Sequence, residues 1–134
     1  MFSVTKEITF CYGHRLMNHP GKCRHLHGHS AKAIITLASE TLNEQAMVCD
    51  FGELKAVVSA YVDTELDHNF LIHRDDPVRA LLEEAGERLL VIDEHPTAEV
   101  IARMIFERIK TEGYPVTQVI IQETVSAFAS YTES

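Results

Sequence analysis

At 134 residues the chain fits one domain, residues 1–134, long enough to bury a core without disulfide staples. Its hydrophobic fraction of 46% and charged fraction of 24% are those of an ordinary globular protein. The formal net charge of −8 argues against a nucleic-acid binder, whose footprint would be basic. Arg15, Lys22 and Arg24 still leave room for a local basic patch toward an anionic small molecule. No window reaches the roughly 20 apolar residues of a membrane span. The first residues, Met-Phe-Ser-Val-Thr-Lys-Glu, lack a signal peptide's basic start and apolar run, so a cytoplasmic location is expected. Three cysteines, Cys11, Cys23 and Cys49, are an odd number that fits free thiols better than disulfides.

Residues 2–10 alternate, with Phe2, Val4, Ile8 and Phe10 on one side and Lys6 the exception, which predicts a half-buried strand. Residues 12–26 contain Gly13, Asn18, Pro20 and Gly21 and read as a long loop of the functional kind. A second strand is expected from about His29 to Ala38. If it starts at His27, then His27 and His29 share a face, because side chains repeat every two residues along a strand. Thr41 to Gln45 reads as a turn and Met47 to Cys49 as a short return strand.

Asp50, with Glu53 three residues on, resembles a capping box. It opens a helix whose stripe is Leu54, Val57, Val58, Tyr61 and Val62, ending near Leu66. Residues 67–76 are polar and expected to be irregular. A short helix is predicted from Pro77 through Glu84, then a brief extended piece over Leu89 to Ile92. Thr97 is a good N-cap for a second long helix burying Ile101, Met104, Ile105 and Ile109, and Gly113 ends it. Two further strands follow, Val116 to Val125 and about Ala127 to Tyr131. The main elements run strand, strand, helix, helix, strand, strand. One apolar stripe per helix predicts an α+β domain: a four-stranded antiparallel sheet with two helices on one face. Such a sheet has open edges, which assembly of subunits into a barrel would hide.

Five of the eight histidines lie between positions 14 and 29. Neutral imidazole is the commonest zinc donor, and three protein ligands leave a position open for substrate or water. His14, His27 and His29 have the spacing of such a site, with His19 and His25 as competitors. Cys23 lies between Lys22 and Arg24, whose charges favour the thiolate. It is a candidate general base, nucleophile or fourth metal ligand, and the last role would make the site structural. Asp67-His68 reads either as a relay pair or as a helix end complementing the macrodipole. Glu123 falls on the apolar face of its strand, where a carboxylate needs a partner such as paired N–H donors. Glu99 is the weaker candidate, since an acid in a first helical turn is expected on macrodipole grounds alone.

Taken together these pieces resemble the 6-pyruvoyl-tetrahydropterin synthase and 6-carboxytetrahydropterin synthase family over nearly the whole chain. The matching stretches are Phe10 to Leu16, Cys23-x-x-x-His27-Gly-His29, Asp50-Phe51 with Leu54-Lys55, Leu66 to Leu71, Pro96 to Glu99, and Glu123-Thr124. The resemblance implies the tunnelling fold (T-fold), in which subunit sheets join into a homo-oligomeric barrel, a hexamer or another assembly, with active sites between subunits. It implies zinc on His14, His27 and His29, Cys23 as general base, and His68 with Asp67 as proton relay. Glu123 would anchor the pterin's amino-pyrimidine edge, with Thr97 and Glu99 contributing to the pocket. The implied substrate is 7,8-dihydroneopterin triphosphate, with no nucleic-acid or membrane partner. The spacing from Cys23 to His29 is similar to that of the bacterial 6-carboxytetrahydropterin synthases of queuosine and deazapurine biosynthesis, which release acetaldehyde and triphosphate. A pyruvoyl-forming synthase is the alternative, followed by a structural zinc protein and a zinc hydrolase. The chain departs from the family pattern at Cys11 and at Tyr12, where small residues are usual, and over Ile72 to Asp76.

Overall fold

The computed structural model describes residues 1–133; the final residue of the expected 1–134 unit lies outside the described residues. The elements are β1 (Phe2–His14), β2 (His27–Ser39), α1 (Phe51–Tyr61), β3 (Phe70–His73), α2 (Arg79–Glu84), β4 (Leu89–Ile92), α3 (Ala98–Thr111), β5 (Val116–Gln122) and β6 (Phe128–Tyr131). They form one six-stranded sheet in the order β4-β3-β1-β2-β5-β6. The expected antiparallel strands are its β1-β2-β5-β6 portion. The expectation of four strands is corrected by β3 and β4, which run parallel to each other and to the end of β1. Only Phe70, Leu71 and Ile72 are apolar in β3. It forms because Gly13 and His14 on one side and Leu89 to Ile92 on the other supply its ladder partners.

Alternation along the first two strands sends Phe10, Tyr12 and His14 inward with Ala31, Ala33, Ile35 and Leu37. α1 covers this face with Leu54 and Val58, and α3 covers it with Ile101, Ile105, Phe106 and Ile109. Asp50 caps α1 by accepting hydrogen bonds from the amides of Gly52 and Glu53. A π-helical turn, Val62–Leu66, extends α1 and buries Val62 and Leu66. The return strand expected over Met47 to Cys49 does not form. Asn43 instead accepts hydrogen bonds from the amides of Gln45 and Met47, which curls this segment into turns. The strand expected to reach Val125 stops at Gln122, and Val125 is 92% exposed in the turn beyond it. Among the described residues no helix is long and apolar enough to cross a membrane.

Candidate metal centre and active site

The residues expected to begin a loop at position 12 instead continue β1 to His14. In the antiparallel ladder, Tyr12 faces His29 and His14 faces His27. All three histidines therefore lie on one face of two neighbouring strands. Their ligand atoms all fall within 4.8 Å of one another. His14 Nδ1 is 2.6 Å from the Pro96 carbonyl, and His27 Nδ1 is 2.7 Å from that of His25. A carbonyl only accepts, so each Nδ1 carries a proton, and in the neutral ring the lone pair is on Nε2. His14 Nε2 and His29 Nε2 stand 3.1 Å apart. Burial holds the pKa of His14 below its ordinary value, against the opposing pulls of the Pro96 carbonyl and Glu123; neighbouring His27 and His29 add to the lowering. Burial lowers His29 as well, again opposed by Glu123. The site thus favours neutral imidazoles, the form that binds a metal, and the donor set fits zinc.

Glu123 leaves the end of β5 and reaches this cluster. Its Oε1 is 3.5 Å from His14 Nε2 and 3.4 Å from His29 Nε2. The same oxygen accepts a 2.7 Å hydrogen bond from the Tyr12 hydroxyl. Burial pushes the Tyr12 phenol far above its ordinary value, and the Glu123 carboxylate adds to the shift, so this hydroxyl stays a donor. The Tyr12 ring meets His14 edge-on at 5.1 Å and lies tilted against His29 at 5.6 Å.

Cys23 sits half-buried in a 3-10 turn, Lys22–Arg24, outside the histidine cluster. The Leu16 amide donates to its carbonyl at 2.8 Å. Arg15 donates to the Arg24 carbonyl and grips Asp76 with two bonds of 2.7 and 2.8 Å. The Asp76 side chain is 1% exposed. This buried, forked ion pair ties the loop carrying Cys23 to the segment after β3. His19 and His25 are exposed and lie outside the cluster.

Asp67 and His68 follow the π-turn. Asp67 Oδ2 lies 2.8 Å from His68 Nδ1, while its Oδ1 accepts from the Cys11 amide. The His68 amide donates to the Cys11 carbonyl at 2.7 Å, and His68 adopts a left-handed backbone with φ of 57°. The Cys11 amide, helped by His68, lowers the Asp67 pKa. His68 is 71% exposed and lines a cavity of about 750 Å³ whose other walls include Tyr12, His27, His29, Phe70 and Arg88. Among the described residues, no hydrogen bond or ion pair joins His68 to the histidine cluster or to Cys23. Thr97 caps α3 by accepting from the Val100 amide, and Glu99 is exposed in the first turn.

The structure thus brings together His14, His27, His29 and Glu123, with the Pro96 carbonyl held against His14. It leaves Cys23 and the Asp67-His68 pair on separate supports. Sequence reasoning missed Tyr12, Pro96 and the Arg15–Asp76 pair. Tyr12 carried a signal, since its position shares the inward parity of His14. The other contacts depend on long-range packing and left none.

A family model described as 6-pyruvoyl tetrahydropterin synthase matches residues 3–134. The 6-carboxy-5,6,7,8-tetrahydropterin synthase of Haemophilus influenzae is 33% identical over 141 residues, covering 99% of this chain and 100% of its own length. The protein of the same name from Synechocystis sp. is 35% identical over 136 residues, with coverages of 98% and 93%. An uncharacterized protein from Wolinella succinogenes has a similar solved structure, with a TM-score of 0.81 and 28% identity over 99% of this chain and 98% of its own. The Caenorhabditis elegans 6-pyruvoyl tetrahydropterin synthase superposes with a TM-score of 0.73 at 25% identity, covering 99% and 96%.

Proposed function

Since this chain belongs to the 6-pyruvoyl tetrahydropterin synthase family, we propose that it is a zinc-dependent lyase forming 6-carboxy-5,6,7,8-tetrahydropterin from 7,8-dihydroneopterin triphosphate. Acetaldehyde and triphosphate are the co-products, and the reaction serves queuosine and deazapurine synthesis. The observation that carries this reading is the trio of histidines on one face whose ligand atoms all lie within 4.8 Å of one another. The carboxy-forming branch is favoured because the full-length relatives at 33–35% identity bear that name.

His14, His27 and His29 hold the zinc, which supplies Lewis-acid polarisation of the substrate's side-chain oxygens. Cys23 lies outside the cluster, which suits a base better than a fourth ligand. Its thiolate removes a side-chain proton. His68, oriented by Asp67 through Nδ1, presents Nε2 to return a proton elsewhere. Glu123 accepts the N–H donors of the pterin's amino-pyrimidine edge, and Thr97 and Glu99 border the pocket from the start of α3.

His68 is exposed and borders one cavity with His27 and His29 without bonding to them, and a neighbouring copy would complete the site around it. Sheet edges are available for such a homo-oligomer. Among the described residues, β3 pairs with β1 only at Gly13 and His14, so most of β1's outer edge has no strand beside it, and β6 is an edge strand. The decisive experiment incubates the zinc-loaded protein with 7,8-dihydroneopterin triphosphate and analyses products by mass spectrometry with an acetaldehyde assay. Carboxytetrahydropterin with equimolar acetaldehyde is expected. A pyruvoyl pterin without acetaldehyde would assign the other branch, and an unchanged substrate would overturn the reading.

A further inference from the structure

Glu123 does more than border the histidine cluster. Its Oε1 stands 3.4 and 3.5 Å from two Nε2 atoms that are themselves 3.1 Å apart. Ligand atoms around a tetrahedral zinc with bonds of about 2.0–2.1 Å lie roughly 3.3 Å from one another. The three atoms therefore already have the spacing of one face of a zinc coordination shell. Tyr12 holds the carboxylate there from behind, with its hydroxyl 2.7 Å from the same oxygen and its ring only 2% exposed. A metal-bound carboxylate is commonly steadied by such an outer hydrogen bond.

We propose that Glu123 is the fourth zinc ligand of the substrate-free protein, held by Tyr12, and that it gives up this position when a pterin binds. The proposal rests on the zinc and pterin reading above and deepens it. One carboxylate then has two successive partners. Before binding, Oε1 closes the coordination shell. On binding, the substrate's side-chain oxygens take that position, and the released carboxylate accepts the N–H donors of the ring. The metal's open position is created only when a ligand able to satisfy Glu123 arrives. An oxygen-bearing small molecule without paired N–H donors gains no such exchange, so Tyr12 and Glu123 together set selectivity for an amino-pyrimidine. The Tyr12 hydroxyl supplies the donor that holds this resting arrangement.

The test uses full-length protein with cobalt(II) or zinc alone, without substrate. Wild type should show the visible bands of a four-coordinate cobalt site. Glu123→Gln should shift those bands and weaken zinc about tenfold or more in chelator competition. Tyr12→Phe, which keeps the carboxylate and the ring, should also weaken zinc about tenfold. Neopterin, which carries the ring and a hydroxylated side chain but cannot turn over, should change the wild-type cobalt spectrum and leave that of Glu123→Gln nearly unaltered. Identical zinc affinity and cobalt bands in wild type and Glu123→Gln would overturn the proposal. If Glu123→Gln does not fold, unchanged zinc affinity in folded Tyr12→Phe would overturn it equally. Failure of the pterin reading is separable: it would leave the substrate-free metal differences intact while neopterin had no effect and the triphosphate went unconverted.

Discussion

Each side chain in the site owes its state to identifiable neighbours. Cys23 is held by main-chain bonds of its loop and stands apart from the histidine cluster. Cys23→Ala should therefore retain one zinc per chain by metal analysis while turnover falls about 10²- to 10⁴-fold, the span of a lost general base. Loss of zinc would instead make the thiol a ligand. Asp76 and Arg15 form a buried pair that anchors this loop. Asp76→Ala leaves Arg15 without its partner and should lower unfolding stability by about 3–5 kcal/mol in urea titrations. Asp67 has a pKa depressed from its ordinary 3.8, chiefly by the Cys11 amide and then by His68. A depressed folded-state value means the unfolded chain takes up this proton first as acid is added. Its stabilisation is complete above pH 3.8 and disappears as pH falls through the lower folded value. Asp67→Asn should flatten the stability profile in that window, read by denaturant titrations from pH 5 to pH 2.

At the level of elements, the site depends on two strands meeting in a fixed register. Gly13 pairs with Phe70, and a methyl group added there would come within 2.8 Å of the Phe70 ring. Gly13→Ala should displace that ring and loosen the seam between β1 and β3. The expected cost is about 1–3 kcal/mol, measured as a lowered denaturation midpoint. The local chain signalled most elements well. The alternation of β1 and β2, the Asp50 and Thr97 caps and the helical stripes are each short-range patterns, and the structure forms them. His27 and His29 were legible as a same-face pair for that reason. The partners of β3 were not, because three apolar residues in a polar stretch become a strand only when β1 and β4 flank them. His14 was read as lying in a loop because Gly13 resembles a breaker. The ladder runs through it, since Gly28 stands directly opposite and the two small residues let the strands close.

For the whole molecule, the proposed reading places each active site between copies, because among the described residues no hydrogen bond or ion pair joins the Asp67-His68 pair to the histidine cluster. Sedimentation at micromolar concentration should find an oligomer. Mixing Cys23→Ala with His68→Ala subunits, each inactive alone, should restore partial activity on 7,8-dihydroneopterin triphosphate, because some mixed sites would carry both intact residues. No recovery after subunit exchange would confine each site to a single chain. A last consequence comes from the way Asp67 and His68 are fastened. Both grip the main chain of Cys11, through its amide and its carbonyl, and neither depends on the thiol. The support is therefore blind to the identity of the side chain it uses. A saturation library at position 11 should return many working variants, provided the strand stays extended, while one at position 67 should return few. Evolution could then vary residue 11 freely along the cavity wall without disturbing the pair that hangs from it.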